Sequence, residues 1–336
     1  MKKILVLMTG GTIGSSLNIG VISVKTDSCR AVELYRARYD DGIELHTQVI
    51  MNILSENLDK CHWQDITGHI LSADLSEYCG IIITHGSDTL SYSSAMLGFC
   101  LCGLGIPVVL TAADLVPDLP ESNAVDDIRG AVAVIKCMNC GVYTVYRNPG
   151  ENDCAVYLAT RVSEADRVRG CFSSFDGMPF AYVRDGRLEF SGSVAPENVP
   201  VSIRPLKFAQ PLSLNNDVLM IRPYPGMNIS DIHIGERVKA VLYITYHSSS
   251  ACADGRGSVL RLLSQCREKG TELFLASFPR NSAMYETSCA LIENGAVPLT
   301  HISDEAAYTK LLLAVNLDVP DIRRFMDKDI FLETIC

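Results

Sequence analysis

Residues 4–14 decide the fold and read Ile-Leu-Val-Leu-Met-Thr-Gly-Gly-Thr-Ile-Gly. The apolar run Ile4–Met8 is too short for the core of a secretory signal, and no small-residue cleavage site follows it. A short apolar run that ends at a glycine turn is typical of a strand buried on both faces of a sheet. The segment therefore predicts a first buried strand followed by a glycine-rich loop.

Similar apolar and β-branched runs recur along the chain and alternate with longer segments of helical periodicity. The further predicted strands are Ile81–Thr84, Val108–Thr111, Val142–Val145, Val218–Ile221, Ala240–Thr245 and Leu273–Ala276. The predicted helices include Ser91–Leu104, Asn123–Cys137 and Gly257–Lys269. This alternation indicates parallel strands joined by crossover helices. We therefore expect an α/β protein with doubly wound, mostly parallel sheets.

A proline-rich stretch divides the chain. Between Phe190 and Asn216 the periodicity fails and four prolines crowd together, which is typical of a linker. The chain of 336 residues is long enough for two domains. We expect a larger N-terminal α/β domain over residues 1–190, a linker over 191–215 and a smaller C-terminal α/β domain over 216–336.

The charge balance excludes some classes of partner. The net charge of −10 argues against a nucleic-acid-binding surface, because that affinity comes mostly from lysine and arginine. No apolar segment approaches the ~18 uninterrupted residues that a membrane helix needs. We expect neither a nucleic acid nor a membrane as a partner.

The thirteen cysteines are scattered, and several lie inside apolar runs. This pattern fits reduced thiols used as small core residues in a reducing compartment, so a cytoplasmic location is expected. Cys137 and Cys140 form a CxxC pattern, but a zinc site needs a second pair or histidines at ligand spacing. We expect no bound metal.

Two polar loops follow predicted strands, where ligands bind in open α/β sheets. The first covers residues 9–14, and the second, 84–89, reads Thr-His-Gly-Ser-Asp-Thr. Each presents a hydroxyl beside glycines whose backbone can approach a ligand closely, as acyl transfer requires. Taken singly, the first could be a phosphate-binding turn and the second a capped turn in which Asp88 starts a helix.

Taken together, the two loops resemble the paired signatures of the bacterial-type asparaginase/glutaminase family, closest to its cytoplasmic type I branch. The resemblance continues through Gly105–Thr111, Ser122–Asp126, Tyr157–Arg161, Val241–Tyr246 and Gly295–Pro298. It implies hydrolysis of L-asparagine, or a related small amide, to L-aspartate and ammonia without a cofactor. It also implies a homodimer or homotetramer with sites between subunits.

The resemblance assigns roles to particular residues. Thr12 would be the nucleophile that forms an acyl-enzyme, and Asp88 would bind the α-amino group of the substrate and belong to a second triad. Ser87 stands where the family has threonine; it keeps the hydroxyl that helps position water but lacks the methyl group that restricts χ1. The remaining substrate-binding residues would be Gly11, Ser55, Glu56 and Gly86, and His85 would be part of the scaffold.

Two positions depart from the family pattern. The second triad normally ends in lysine, but the matching residue is Arg161, which can supply charge and hydrogen bonds to Asp88 and cannot act as a proton relay. An arginine placed there by a misaligned loop is the alternative interpretation. The lid segment that follows the first loop in the family reads Gly-Val-Ile-Ser over 20–23 here and lacks the usual tyrosine.

Tyr285, with Glu286 beside it, lies where some relatives bring a tyrosine from the smaller domain of a neighbouring subunit. We therefore include Tyr285 among the candidate catalytic residues. A tyrosine that starts a helix at an interface would look the same in sequence.

Two other functions remain open from the sequence. A family member with impaired catalysis could bind or sense an amino acid, and an altered amidohydrolase could act on a different amide. The tRNA-dependent amidotransferase relatives carry an additional N-terminal domain. Here the first strand begins at Ile4, which favours the hydrolase.

Overall fold

The structure is a computed structural model. It describes residues 2–18, 21–24, 29–40, 42–207, 211–278, 284–317 and 319–335, with the backbone alone at 16–18, 21–24 and 277. Gly20 of the predicted lid lies outside the described residues. The chain divides into two compact units. Unit 1 comprises Met1–Leu212 and Ile330–Leu332, and unit 2 comprises Ser213–Asp329 and Glu333–Cys336.

Unit 1 is an α/β unit. Its strands are β1 (Lys2–Gly10), β2 (Ser15–Asn18), β3 (Val21–Val24), β4 (Ile43–Ile53), β5 (Tyr78–Thr84), β6 (Val108–Thr111), β7 (Val142–Tyr146), β8 (Cys154–Leu158), β9 (Val162–Ser163), β10 (Ser173–Ser174), β11 (Ala181–Arg184) and β12 (Arg187–Phe190). Its helices are α1 (Arg30–Arg38), α2 (Lys60–Ser72), α3 (Leu90–Leu101), α4 (Ala124–Cys137) and α5 (Asn198–Ser202).

The main sheet of unit 1 runs in the order β12-β11-β8-β7-β6-β5-β1-β4. In this order β7, β6, β5, β1 and β4 are parallel to one another. β8, β11 and β12 continue the sheet in antiparallel pairing. Ile4, Ile82 and Val109 are fully buried, as expected for central parallel strands with helices on both faces. The predicted α/β class with a mostly parallel sheet is confirmed.

Unit 2 contains a smaller parallel sheet in the order β13-β14-β15-β16. Its strands are β13 (Asp217–Ile221), β14 (Val238–Ile244), β15 (Glu272–Phe278) and β16 (Val297–Thr300). Its helices are α6 (Val259–Glu268), α7 (Glu286–Glu293), α8 (Asp304–Ala314) and α9 (Ile322–Met326). Within the described ranges, no helix is both long enough and apolar enough to span a bilayer.

A buried ion pair lies within unit 2. Lys310 of α8 and Glu333 both have 0% side-chain exposure, and their Nζ and Oε1 atoms are 2.6 Å apart. The same Nζ donates hydrogen bonds to the carbonyl oxygens of Met326, at 2.9 Å, and Lys328. The ammonium group thus fastens the last residues of the chain to α8.

The cysteines within the described part of the chain are free thiols. Cys100, Cys102 and Cys266 are buried among apolar residues, and burial raises the pKa of the Cys266 thiol to about 12. Cys100 and Cys266 are therefore thiols rather than reactive thiolates near neutral pH.

Candidate active site

Three loops meet at the carboxyl edge of the main sheet of unit 1. They follow β1, β4 and β5, which are neighbours in the order β4-β1-β5. A Cβ atom on Gly11 would lie 2.5 Å from the carbonyl oxygen of His85, and one on Gly86 would lie 2.4 Å from Oγ of Ser55. Only glycine leaves room for contacts this close, so the glycines of the motifs bring the three loops into contact.

Thr12 begins a single 3₁₀ turn, Thr12–Gly14, directly after β1. The amide of Gly14 and the hydroxyl of Ser15 both donate to the carbonyl oxygen of Gly11, at 3.3 and 3.0 Å. Thr12 itself is half-buried, whereas the next residue, Ile13, is fully buried. The turn is therefore held by these hydrogen bonds and by the burial of Ile13, while the threonine remains accessible to a small molecule.

The second loop holds Ser87 and Asp88 in a 3₁₀ turn, Ser87–Thr89, that leads into α3. The hydroxyl of Ser55 donates to Oδ2 of Asp88 at 2.9 Å, and the hydroxyl of Thr89 donates to the carbonyl oxygen of Ser55 at 2.9 Å. Ser55 is buried and Glu56 is exposed. The structure thus brings Ser55 and Asp88 into direct contact, and their substrate-binding roles stay predictions.

A cavity of about 450 Å³ adjoins the second loop. It is lined by Ser87 and Asp88, together with Asp114 and residues of the 164–170 segment that follows β9. Its volume suits a small-molecule ligand. The loop that carries Thr12 packs against His85 and Gly86, immediately before this lining.

Arg161 has contacts within unit 1 that sequence reasoning did not anticipate. Its Nη1 lies 2.7 Å from Oδ2 of Asp176, and its Nε donates to the carbonyl oxygen of Leu332 at 2.5 Å. These bonds tie the residue that precedes β9 to the Asp176 turn and to the returning segment 330–332. The predicted partnership of Arg161 with Asp88 stays a prediction.

Glu164 is one of the residues of this segment that line the cavity with Ser87 and Asp88. Sequence reasoning missed it, because the resemblance directed attention to Arg161, three residues earlier. The available signal was the run of charged residues, Glu-Ala-Asp-Arg over 164–167, directly after a short strand. Polar residues at a strand end are the expected lining of a site in this architecture.

His85 lies in a buried chain of hydrogen bonds. The indole of Trp63 donates to Oγ of Ser93 at 2.9 Å, Ser93 Oγ lies 2.9 Å from Nε2 of His85, and Nδ1 of His85 lies 2.8 Å from the carbonyl oxygen of Gly86. A carbonyl oxygen can only accept, so Nδ1 carries the proton and Nε2 accepts from Ser93. The neutral ring therefore positions the second loop, in agreement with the predicted scaffold role.

The stability of the protein is expected to fall in mild acid because of His85. Burial lowers the pKa of His85 below its usual value of 6.5. In mild acid His85 therefore binds a proton in the unfolded chain but not in the folded protein. The free energy of unfolding has its full value above about pH 6.5 and declines below that pH, by up to about 1.4 kcal/mol per pH unit. Urea unfolding of the wild type and of His85→Gln at pH 7.5 and 5.5 measures this: the variant should lose less stability than the wild type, and equal losses would contradict the assignment.

Gly11→Ala is expected to disrupt the contact between the loops. Gly11 has a φ of 80°, and the new Cβ would lie 2.5 Å from the carbonyl oxygen of His85. We expect ammonia release to fall at least a hundredfold, because a misplacement of about 1 Å at a catalytic group costs roughly that factor. Gly105→Ala is the matched control, since Gly105 has a φ of 75° with no atom within 4 Å of the added Cβ. Equal effects of the two substitutions would show that the clash is unimportant.

Tyr285 lies in unit 2, at the N-terminus of α7, and is 60% exposed. The five residues at 279–283 that precede this end of the helix lie outside the described residues. Its predicted contribution to a neighbouring subunit stays a prediction.

A protein-family model described as "Asparaginase, N-terminal" matches residues 3–195. The match covers more than half of the chain and includes the loops of Thr12 and Ser87. The chain belongs to the asparaginase family. It is therefore an amidohydrolase, and the resemblance stated from the two loops is confirmed.

Whole-length comparisons agree with the family assignment. The chain is 28% identical over 338 residues to an L-asparaginase of Thermococcus kodakarensis, covering 98% of each protein. It is 28% identical over 334 residues to one of the subunits of a glutamyl-tRNA(Gln) amidotransferase of Methanosphaera stadtmanae, covering 94% of this chain and 72% of that one. The solved structure of the thermostable L-asparaginase from Thermococcus kodakarensis superposes with a TM-score of 0.81 at 27% identity, covering 99% of both chains.

Proposed function

We propose that this member of the asparaginase family hydrolyses the side-chain amide of L-asparagine, or of a closely related small molecule, with Thr12 as the nucleophile. The packing of Gly11 against His85 and Gly86 is the observation that carries the proposal, because it holds the Thr12 turn beside the loop of Ser87 and Asp88. A nucleophilic hydroxyl, free backbone amides and a small polar cavity are the parts that acyl transfer needs.

The proposed reaction has two halves. The hydroxyl oxygen of Thr12 attacks the amide carbon and gives up its proton, the C–N bond breaks, and the nitrogen leaves as ammonia after it has gained a proton. The resulting ester is then attacked by water, which restores the threonine hydroxyl and releases the carboxylic acid. Ser87 positions this water, and the pair formed by Ser55 and Asp88 holds the ammonium group of the substrate.

We further propose an oligomer in the cytoplasm, in which Tyr285 of one subunit approaches the Thr12 loop of another. Support comes from the exposure of Tyr285 at the end of α7 and from the free thiols throughout the described chain. Reduced thiols are the usual state of cytosolic cysteines.

The experiment that tests the proposed function is ammonia release from L-asparagine, L-glutamine and simple amides by the purified protein, with Thr12→Ala as the blank. We expect L-asparagine to have a higher kcat/KM than L-glutamine. One methylene distinguishes the two, so a factor of roughly 10–200 is the range that a pocket can supply. A preference for L-glutamine would contradict the choice of substrate, and turnover that persists in the blank would contradict the choice of nucleophile.

A further inference from the structure

The cavity beside Ser87 has an excess of negative charge. Four carboxylates, those of Asp88, Asp114, Glu164 and Asp166, and two guanidinium groups, those of Arg167 and Arg169, line it, so its formal charge is −2. Arg169 lies 3.3 Å from Asp166 and neutralises that group. The other carboxylates of the lining are those of Asp88, Asp114 and Glu164, around a space of about 450 Å³.

Glu164 is the carboxylate of this set that lies nearest in sequence to Arg161. The cation that the resemblance assigns to this segment is Arg161, and its described ion pair is with Asp176, at 2.7 Å. Glu164 lies three residues further along, on the cavity wall with Ser87 and Asp88. A carboxylate at this place repels an anionic group of a bound molecule and attracts a cationic one.

The substrates of the proposed reaction differ in how they meet this charge. L-Asparagine carries an ammonium group and a carboxylate beside the same carbon. In the proposed reaction the ammonium group pairs with Asp88, which accepts a hydrogen bond from Ser55 at 2.9 Å. The carboxylate of L-asparagine would instead add to the negative charge of the cavity, whereas a neutral group in its place would not.

We propose that Glu164 is a specificity-determining residue that selects amides with a net positive charge, meaning molecules that keep an ammonium group near the amide and lack a free carboxylate. This inference rests on the proposed amidohydrolase function of the Thr12 site and names its substrate class. Specificity arises because Glu164 disfavours the anionic competitor as much as it favours the cationic substrate.

Three probes that share one side-chain amide test the inference. Succinamate, L-asparagine and L-asparagine methyl ester carry charges of −1, 0 and +1 at pH 6.0, well below the usual pKa of about 7.7–8.0 for an α-amino group. Ammonia release reports cleavage of the amide in all three. For the wild type we expect kcat/KM to rise along this series, by about tenfold from L-asparagine to its methyl ester, as a single nearby charge can supply.

The preference for the methyl ester is the ratio of its kcat/KM to that of L-asparagine. Substitutions at the cavity should raise or lower this ratio according to the charge that they remove or add. Glu164→Gln should reduce the preference for the methyl ester about fivefold, and Glu164→Lys should reverse it in favour of L-asparagine. Arg167→Gln removes a positive charge from the wall and should increase the preference. Glu197→Gln is the matched control, because it removes the same charge at the N-terminus of the short helix α5 and should leave the ratio unchanged.

The outcomes separate the two proposals. One outcome is turnover that depends on Thr12, with the ratio of kcat/KM for the methyl ester to that for L-asparagine the same in the wild type, Glu164→Gln and Glu164→Lys. That result would overturn the role of Glu164 and leave the proposed function intact. Absence of Thr12-dependent ammonia release from all three probes would overturn the proposed function, and the specificity role with it. Glu164 is exposed, so folded variants are expected, and their far-ultraviolet circular dichroism should match the wild type.

Discussion

Thr12→Ala is expected to lower ammonia release at least roughly a thousandfold, because removal of a nucleophile from an acyl-transfer site leaves only binding and polarisation of the amide. The residue is half-buried in a turn whose hydrogen bonds come from the backbone of Gly11 and Gly14 and the hydroxyl of Ser15. The substitution should therefore leave the melting temperature within a few degrees of the wild type, as about 1 kcal/mol would. Steady-state ammonia assays and a thermal scan on the same preparation give both numbers.

Thr12→Ser is the matched control for this prediction. It keeps the hydroxyl and loses only the methyl group that restricts the side chain to few rotamers. We expect it to retain measurable turnover, well above that of Thr12→Ala. If the alanine and serine variants are equally active, the hydroxyl at position 12 is not the attacking group.

Lys310→Met is expected to destabilise unit 2 by about 3–5 kcal/mol, because it leaves the Glu333 carboxylate buried without the ammonium group that balances its charge. The ammonium group of Lys310 is fully buried, lies 2.6 Å from Glu333 and also bonds the carbonyl oxygens of Met326 and Lys328. Methionine fills a similar volume but cannot donate to any of these three acceptors. Urea unfolding at pH 7.5, followed by circular dichroism, measures the change.

Arg323→Met is the control for the buried pair. Arg323 and Glu272 form an ion pair at 2.7 Å in the same unit, with side-chain exposures of 54% and 34%. Exposed pairs of this kind contribute about 0–1 kcal/mol, so this variant should unfold close to the wild type. Similar losses in the two variants would show that burial of Lys310 does not determine its contribution.

The strands that were predicted from the sequence all have continuous runs of apolar and β-branched residues. Val108–Thr111 coincides with β6, and Ile4–Met8 lies within β1. β4 was missed because it is the edge strand of the main sheet, and polar side chains interrupt its apolar ones over residues 43–53. A half-exposed strand of this kind lacks the uniform signal of a buried one.

The return of residues 330–332 to unit 1 had no local signal. The carbonyl oxygen of Phe331 accepts a hydrogen bond from the hydroxyl of Thr160 at 2.6 Å, across 171 positions of sequence. Such a contact depends on the tertiary arrangement of both segments. The predicted boundaries therefore assigned this segment to the C-terminal domain, whereas in the structure it belongs to unit 1.

The sequence predicted a candidate site at the ends of neighbouring strands, but it indicated only some of the residues that line the cavity. Glycine loops at the ends of neighbouring strands had to meet, and the glycines at positions 11 and 86 show the close approach that requires them. The ion pair of the Arg161 side chain could not be predicted from the sequence, because its partner, Asp176, lies fifteen residues away beyond a turn. The segment that follows Arg161 contributes Glu164 to the cavity, and no sequence motif indicated this residue.

The central claim, that Thr12 carries the acyl group, is tested most directly by trapping the intermediate. Ser87→Ala should slow the second half of the reaction, because the water is no longer positioned, so that the ester accumulates during turnover of a small amide. Acid quenching followed by mass spectrometry of the digested protein should then show the acyl group on the peptide that contains Thr12. A label on another residue, or the same label in Ser87→Ala combined with Thr12→Ala, would contradict the account.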